Sequence, residues 1–371
     1  MSAGTGAAGP AGRAGAGGSA AVEPDVSVVV AVHNTMPYLT RCLDSLVGQS
    51  LGQRRMEAVL VDDGSTDGST EEIQRYAALH PALFTTERGS HSGGPAAPSN
   101  RGLELARGRY VFFLGADDHL APEALERMVT MADNCRSDVL LCKMAPVGRR
   151  TVPTGVFSHT APAIRLVGDG LPWALSNTKL FRRSLIEEHR IRYDEGMPVF
   201  SDQPFVLEAC VRAGRISVLA DQAHYFAVRR ADSGNLTYRT PAGLRLRCAA
   251  RLFEAVCRFL APGPLRDAFH RRHFHVEVCQ LFGPDFPALP PKERAAVCAG
   301  AARLVREYGG EVVPRLDTRR RRLLALVRDG DLDALCDHIA ADADQAGPAA
   351  PANLVRRSAL ARWLRSSPAQ G

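Results

Sequence analysis

Two aspartate pairs, Asp62–Asp63 and Asp117–Asp118, each stand at the exit of an apolar run. Carboxylate oxygens suit hard divalent cations, and Mg²⁺ or Mn²⁺ commonly bridges a few carboxylates and a substrate diphosphate. Each pair also has a plainer reading. Asp-Asp-Gly-Ser is a frequent turn, and Gly115-Ala116-Asp117-Asp118 reads equally as a loop entering a helix, with Asp118 as its N-cap. A third acid, Asp202, by itself fits a helix cap as well as a general base.

The elements around these acids alternate. Val26 to Val32 is a continuous apolar run, the pattern of a strand buried on both faces. Leu39, Cys42, Leu43, Leu46 and Val47 follow at helical spacing. Ala58 to Val61 is a second strand, stopped by Asp62-Asp63-Gly64-Ser65, and Glu71 to Leu79 reads as a helix. A Gly/Pro/Ser loop from Gly89 to Pro98 leads to a helix near Gly102 to Ala106. Tyr110 to Leu114 is a third strand, Pro122 opens the next helix with Leu125, Met128 and Val129 inward, and Asp138 to Cys142 adds a strand. This alternation predicts an α/β fold, a mostly parallel sheet flanked by helices. Ligands of such sheets bind outside the carboxyl ends of the strands. The topology therefore brings the two pairs together.

Composition sets the frame. The chain has 371 residues, 45% hydrophobic and 23% charged, within the range of soluble globular proteins. No apolar run reaches the roughly 18–20 residues that span a bilayer, and the N-terminus lacks a signal-peptide pattern; a cytoplasmic location is expected. The 9 cysteines show no C-x-x-C spacing and read mainly as small core residues. The net charge of +6 is mild and the arginines concentrate near the C-terminus, which suggests a local basic surface and not a nucleic-acid-binding protein. Residues 1–24 form a Gly/Ala-rich tail expected to be disordered, residues 25–240 a catalytic-type α/β domain, and residues 241–371 a helical, Arg-rich C-terminal region.

In order along the chain, Val28-Val29-Val30-Ala31-Val32-His33-Asn34, Asp62-Asp63-Gly64-Ser65-Thr66-Asp67, Asn100-Arg101-Gly102 and Tyr110 through Asp118 resemble the opening of a family 2 glycosyltransferase of the GT-A (Rossmann-like) fold. Ser201-Asp202-Gln203-Pro204-Phe205 and the stretch from His224-Tyr225-Phe226 to Asn235-Leu236-Thr237 resemble its later elements. The resemblance is closest to the branch that glycosylates wall teichoic acids and related bacterial surface polymers.

That resemblance implies an inverting, metal-dependent transfer of a sugar from a nucleotide-sugar donor, UDP-linked, to a hydroxyl of a glycan, a polyol-phosphate polymer or a small molecule. Metal on the donor phosphates neutralises the charge of the departing nucleoside diphosphate, and a separate carboxylate acts as base on the acceptor hydroxyl. By resemblance Asp62 and Asp63 lie by the nucleobase and ribose, Arg101 braces the base side, and His33 and Asn34 line the floor. The D-x-D of the family falls on Gly115-Ala116-Asp117, so Asp117 is the expected Mn²⁺ or Mg²⁺ ligand, Asp118 assists, and Ala116 lies against the donor. His224 and Arg229, with Arg230, are expected at the diphosphate. Asp202 falls on the base. Ser201 replaces a glutamate there, which removes a like charge and is expected to lower the Asp202 pKa relative to that pattern.

Several residues have blander expectations. Lys143 and Lys179 read as solvated lysines before phosphate contacts, and Trp173 with Leu171 and Leu175 as core before an acceptor platform. The spacing of His270, His273, His275, Glu277 and Cys279 fits no zinc motif and predicts a basic helix surface. Arg356 to Arg365, with Leu360, Trp363 and Leu364 at helical spacing, suits peripheral contact with an anionic membrane surface at its inner face. A degenerate, non-catalytic sugar-nucleotide-binding protein is the alternative that Gly115 and Ser201 motivate. A nucleotidyltransferase ranks below both, because Ala31-Val32-His33-Asn34-Thr35 is not a Gly-rich phosphate loop.

Overall fold

The structure, a computed structural model, describes residues 23–345 apart from 149, 167, 169 and 232–238. The tail before residue 23, Asn235-Leu236-Thr237 and the Arg356–Arg365 segment lie outside the described residues.

Val26–Val32 forms β1, and its side chains alternate between two cores. Val28, Val30 and Val32 enter one; Val29 enters the other, with Val59, Val61 and Phe113. In chain order follow α1 (Tyr38–Val47), β2 (Met56–Asp63), α2 (Ser69–Leu79), β3 (Phe84–Gly89), α3 (Ala96–Leu105), β4 (Tyr110–Phe113), β5 (His119–Leu120), α4 (Ala124–Cys135), β6 (Val139–Cys142) and β7 (Met144–Val147). Next come β8 (Lys179–Arg182), α5 (Arg183–Glu188), α6 (Asp202–Arg212), β9 (Ile216–Leu219) and β10 (Tyr225–Val228).

The main sheet has seven strands in the order β3-β2-β1-β4-β8-β6-β9. It is parallel except at β8, which runs antiparallel to both β4 and β6. The mostly parallel sheet flanked by helices is thus as expected. Edge strand β3 has no counterpart in the sequence reading, because most of its residues are exposed and it has no apolar run. Helix α3 begins at Ala96, well before Gly102. Helix α4 begins at Ala124 with Glu123 as N-cap residue, so Asp118 caps nothing. Between them a second, three-stranded sheet, β5-β10-β7, joins residues next to Asp118 to the segment 225–228.

The C-terminal region is helical: α7 (Ala242–Phe259), α8 (Pro264–His273), a π-helical turn Phe274–Val278, α9 (Pro291–Tyr308), α10 (Thr318–Asp329) and α11 (Leu332–Gln345). Its own apolar core gathers Phe253, Phe274, Val297, Leu304, Leu324 and Leu335. Helix α7 also packs against α6, which ties this region to the sheet. No helix among the described residues is long and apolar enough to cross a membrane.

Candidate active site

The carboxyl ends of β1, β2 and β4 open into a cleft of about 810 Å³, lined by His33, Asn34, Asp63, His91, Asp117 and Arg230 among others. That volume is in the range of small-molecule sites. The parallel register β2-β1-β4 brings the acids to it: Val32 lies beside Asp62, and Val29 beside Phe113, so the chain beyond β4 carries Asp117 to the same edge.

The two residues of the first pair do different work. Asp62 is buried and faces away from the cleft lining; its Oδ1 accepts the Ser65 N–H at 2.9 Å and its Oδ2 the Thr70 hydroxyl at 2.6 Å. It builds the turn in which Gly64 adopts φ +71°, a conformation that favours glycine. The reading of Asp62 as a nucleotide contact is therefore corrected, since its acceptor sites are spent on the turn and on Arg88 at 3.5 Å. Asp63 faces the cleft, and accepts His91 Nδ1 and the Ser92 N–H, each at 2.9 Å.

His33 and Asn34 line the floor. His33 Nδ1 bonds the Asp63 carbonyl at 2.8 Å, and its ring stacks on His91 at 3.9 Å between centroids. Asn34 has φ 49°, tolerable for asparagine, and its Oδ1 accepts the Thr66 N–H at 2.8 Å. Loops after β1 and β2 are thereby stitched together under the cleft. His91 escaped the sequence reading; its only signal was a histidine inside a Gly/Ser loop.

Several expected contacts stand elsewhere. Arg101 is outside the cleft lining on the exposed face of α3, where its guanidinium forks Glu87 at 2.7 Å and meets Glu104 at 2.7 Å. His224 is fully buried and bonds Asp221 at 2.9 Å, so it does not reach the cleft. Arg229 is absent from the lining; its neighbour Arg230 is present, and donates to the Asn34 carbonyl at 2.9 Å. Ala116 and Asp117 both line the cleft.

Asp118 is no metal ligand in this arrangement. It is buried, its Oδ2 accepts the Tyr225 hydroxyl, and its Oδ1 accepts the Val228 N–H at 2.6 Å. Burial, then the Asp117 charge, pushes its carboxyl well above the usual carboxylate range. Gly115 has a spatial reason. A Cβ there would lie 2.7 Å from Asp118 Oδ2 and 3.2 Å from the Tyr225 oxygen, so no acid fits at 115 while that pair is in place.

Among the described residues, only His33, Asp63 and His91 could gather three ligand atoms, all within 4.8 Å of one another. Two imidazoles and one carboxylate are a softer set than Mg²⁺ prefers. Asp117 offers one cleft-facing carboxylate. That suffices for a cation held jointly with a diphosphate, since Mg²⁺ is usually bound by one or two carboxylates plus substrate phosphates.

Asp202 opens α6, outside the residues that line the cleft and close to buried Lys179. Burial pushes its carboxyl up to about 6, against Arg272 and Lys179, which hold it down. Glu277 adds a like charge that raises it further. Lys179 is not the solvated lysine expected: it is 2% exposed and donates to the Ala174 carbonyl at 2.6 Å and to the Ser176 carbonyl. Burial lowers its pKa to about 8. Trp173, expected in the core, is 40% exposed, and stands edge-on to His275 at 5.0 Å. The expected basic surface at 270–277 is also corrected, because His270, His273 and Glu277 are buried.

Residues 27–194 match the family model for glycosyl transferase family 2, and residues 246–339 match the glycosyl transferase TarS linker domain. Residues 27–194 are thus identified as a glycosyl transferase family 2 domain. It is 37% identical over 204 residues to the poly(ribitol-phosphate) β-N-acetylglucosaminyltransferase TarS of Staphylococcus aureus, a match covering 55% of this chain and 35% of that protein. It is 35% identical over 205 residues to the poly(ribitol-phosphate) β-glucosyltransferase of Bacillus spizizenii, covering 55% of this chain and 32% of that protein. The chain thus matches about a third of the length of these relatives. The crystal structure of S. aureus TarS 1–349 in complex with UDP-GlcNAc superposes with a TM-score of 0.72 at 27% identity, covering 86% of this chain and 92% of that one. The GT-A fold and the family's glycosyltransferase class follow from these matches.

Proposed function

We propose that the chain transfers a sugar from a UDP-sugar to a hydroxyl of a polyol-phosphate polymer, with inversion and with a divalent cation on the donor phosphates. The observation that carries the reading is the cleft at the strand ends, whose lining gathers Asp63 and Asp117 with His33 and Asn34. The likeness to a UDP-GlcNAc-bound relative and to two poly(ribitol-phosphate) transferases supports the donor and acceptor classes.

Asp63 and His33 would bind the nucleoside, and Arg230 the anionic side of the donor. Asp117 would hold Mn²⁺ or Mg²⁺ against the diphosphate; the cation stabilises charge on the leaving group. Asp202 would take the proton of the acceptor hydroxyl as the anomeric bond breaks. A base held near 6 is ionised at neutral pH yet retains more proton affinity than an ordinary carboxylate. We place residues 25–240 as the transferase unit and 241–371 as an appended helical unit.

The test is transfer from UDP-GlcNAc or UDP-glucose to poly(ribitol phosphate) under Mn²⁺, with the anomeric configuration read by NMR. Activity equal to the wild type in Asp202→Ala overturns the reading. A second reading, a sugar-nucleotide-binding protein without catalysis, draws on the glycine at 115; transfer or donor hydrolysis that disappears in Asp117→Ala eliminates it.

A further inference from the structure

Gln203, the residue next to Asp202, is gripped at both ends by the C-terminal helical region. Its Oε1 accepts from Arg272 Nη1 and its Nε2 donates to Glu277 Oε1 at 2.9 Å. Arg272 and Glu277 also pair directly at 2.6 Å, and His273 Nδ1 meets Glu277 Oε2 at 3.2 Å. Glu277 is 1% exposed and Arg272 11%.

Stability alone is a poor account of this network. A buried ion pair is costly to desolvate, and an apolar replacement of the same volume is often as stable. Glu277 sits on the π-helical turn Phe274–Val278, a rare form that frequently marks functional sites. The Arg272 Nε is buried without a hydrogen-bond partner, so the network is not closed on itself. Its charges instead act on Asp202, Arg272 favouring the carboxylate and Glu277 opposing it. The other groups facing Asp202 are Lys179 from β8 and Tyr193 from the preceding loop.

From this geometry we infer that Arg272 and Glu277 are positioning residues for the base: the C-terminal region fixes the first turn of α6 through Gln203 and sets the protonation of Asp202. The inference rests on the reading of Asp202 as the base, and assigns the appended helices a part in the reaction centre.

The test uses the full chain labelled with [¹³Cγ]aspartate, with the Asp202 signal identified by its loss in Asp202→Asn. Titration midpoints are compared in wild type, Arg272→Met, Arg272→Lys and Glu277→Gln. Arg272→Met should move the Asp202 midpoint up by about half a pH unit or more, Glu277→Gln should move it down, and Arg272→Lys should leave it near wild type. Transfer measured in parallel should show its acidic limb moving the same way, with UDP affinity unchanged. Midpoints that stay put in both Arg272→Met and Glu277→Gln, or move in the same direction, overturn the inference. Should Arg272→Met fail to fold, Glu277→Gln decides alone, and an unmoved or raised midpoint overturns it. Full activity in Asp202→Ala would instead remove the base assignment, and the titration distinguishes that failure from this one.

Discussion

The Tyr225 hydroxyl and the Asp118 carboxylate meet at the spot where a side chain on residue 115 would stand. Asp118 thereby ties the loop after β4 to β10, and of that loop's two aspartates only Asp117 lines the cleft. The shortened D-x-D is a packing consequence of this pair as well as a change in ligand number.

Gly115→Ala should lower thermal stability by about 1–3 kcal/mol, the usual cost of forcing atoms into a filled site. A Cβ at 2.7 Å from Asp118 Oδ2 is too close to accept without movement. Gly115→Asp should do no better and should not raise UDP affinity. Thermal melts of the two variants decide it, and an unchanged melting temperature in Gly115→Ala counts against the packing explanation.

Metal dependence should separate the two neighbours. Asp117→Asn should abolish the gain in UDP affinity that Mn²⁺ gives, a loss of about tenfold or more if one charge-assisted ligand is removed. Asp118→Asn should retain that gain, because residue 118 is held by Tyr225 and Val228 and not presented to the cleft. Calorimetric titration of UDP with Mn²⁺ and with chelator checks both; a lost Mn²⁺ response in Asp118→Asn alone would reverse the assignment.

His91→Ala should weaken UDP binding by about threefold to tenfold while changing turnover little. The ring bonds Asp63 at 2.9 Å and stacks on His33, so its loss frees two residues of the nucleoside floor. The comparison of UDP affinity with kcat at saturating donor is the measurement. Undiminished UDP affinity would show that the floor is rigid without it.

Asp202 has a pH signature in both stability and rate. Burial raises its carboxyl from 3.8 to about 6, so between those values the folded chain binds more protons than the unfolded one. Its stabilising contribution is then full below about 3.8 and is lost as pH rises through about 6. Asp202→Asn should therefore be more stable than wild type at pH ~8, by on the order of 2 kcal/mol, with the difference fading towards pH ~4. In the wild type, transfer should rise with pH along an acidic limb centred near 6. A melting temperature that responds equally at both pH values would contradict the buried-carboxylate account.

Local pattern was enough for β1, β2, β4 and β6 of the main sheet and for the general place of the site. Val26–Val32 and Tyr110–Phe113 are buried on both faces, so their apolar runs announce strands. Acids at the ends of parallel strands must then share an edge, whatever lies between them. Strands β3, β5, β7, β8, β9 and β10 have no counterpart in the sequence reading; β3 is mostly exposed and β5 has only two residues, too little pattern to separate from loop. The division of labour within each aspartate pair was equally hidden. In β2 adjacent residues alternate, so Asp63 faces the cleft while Asp62 turns inward, and in the turn after β4 Asp117 lines the cleft while Asp118 is tied to Tyr225 and Val228. Sequence alone established the family motifs, their order and the acids available. Only the tertiary structure decided which of those acids faces the cleft, that Arg230 and not Arg229 lines it, and that a glutamate and an arginine some 70 residues beyond Asp202 press against its helix. The physical reason is that a side chain's partners and its desolvation depend on residues distant in sequence, and no local pattern encodes them.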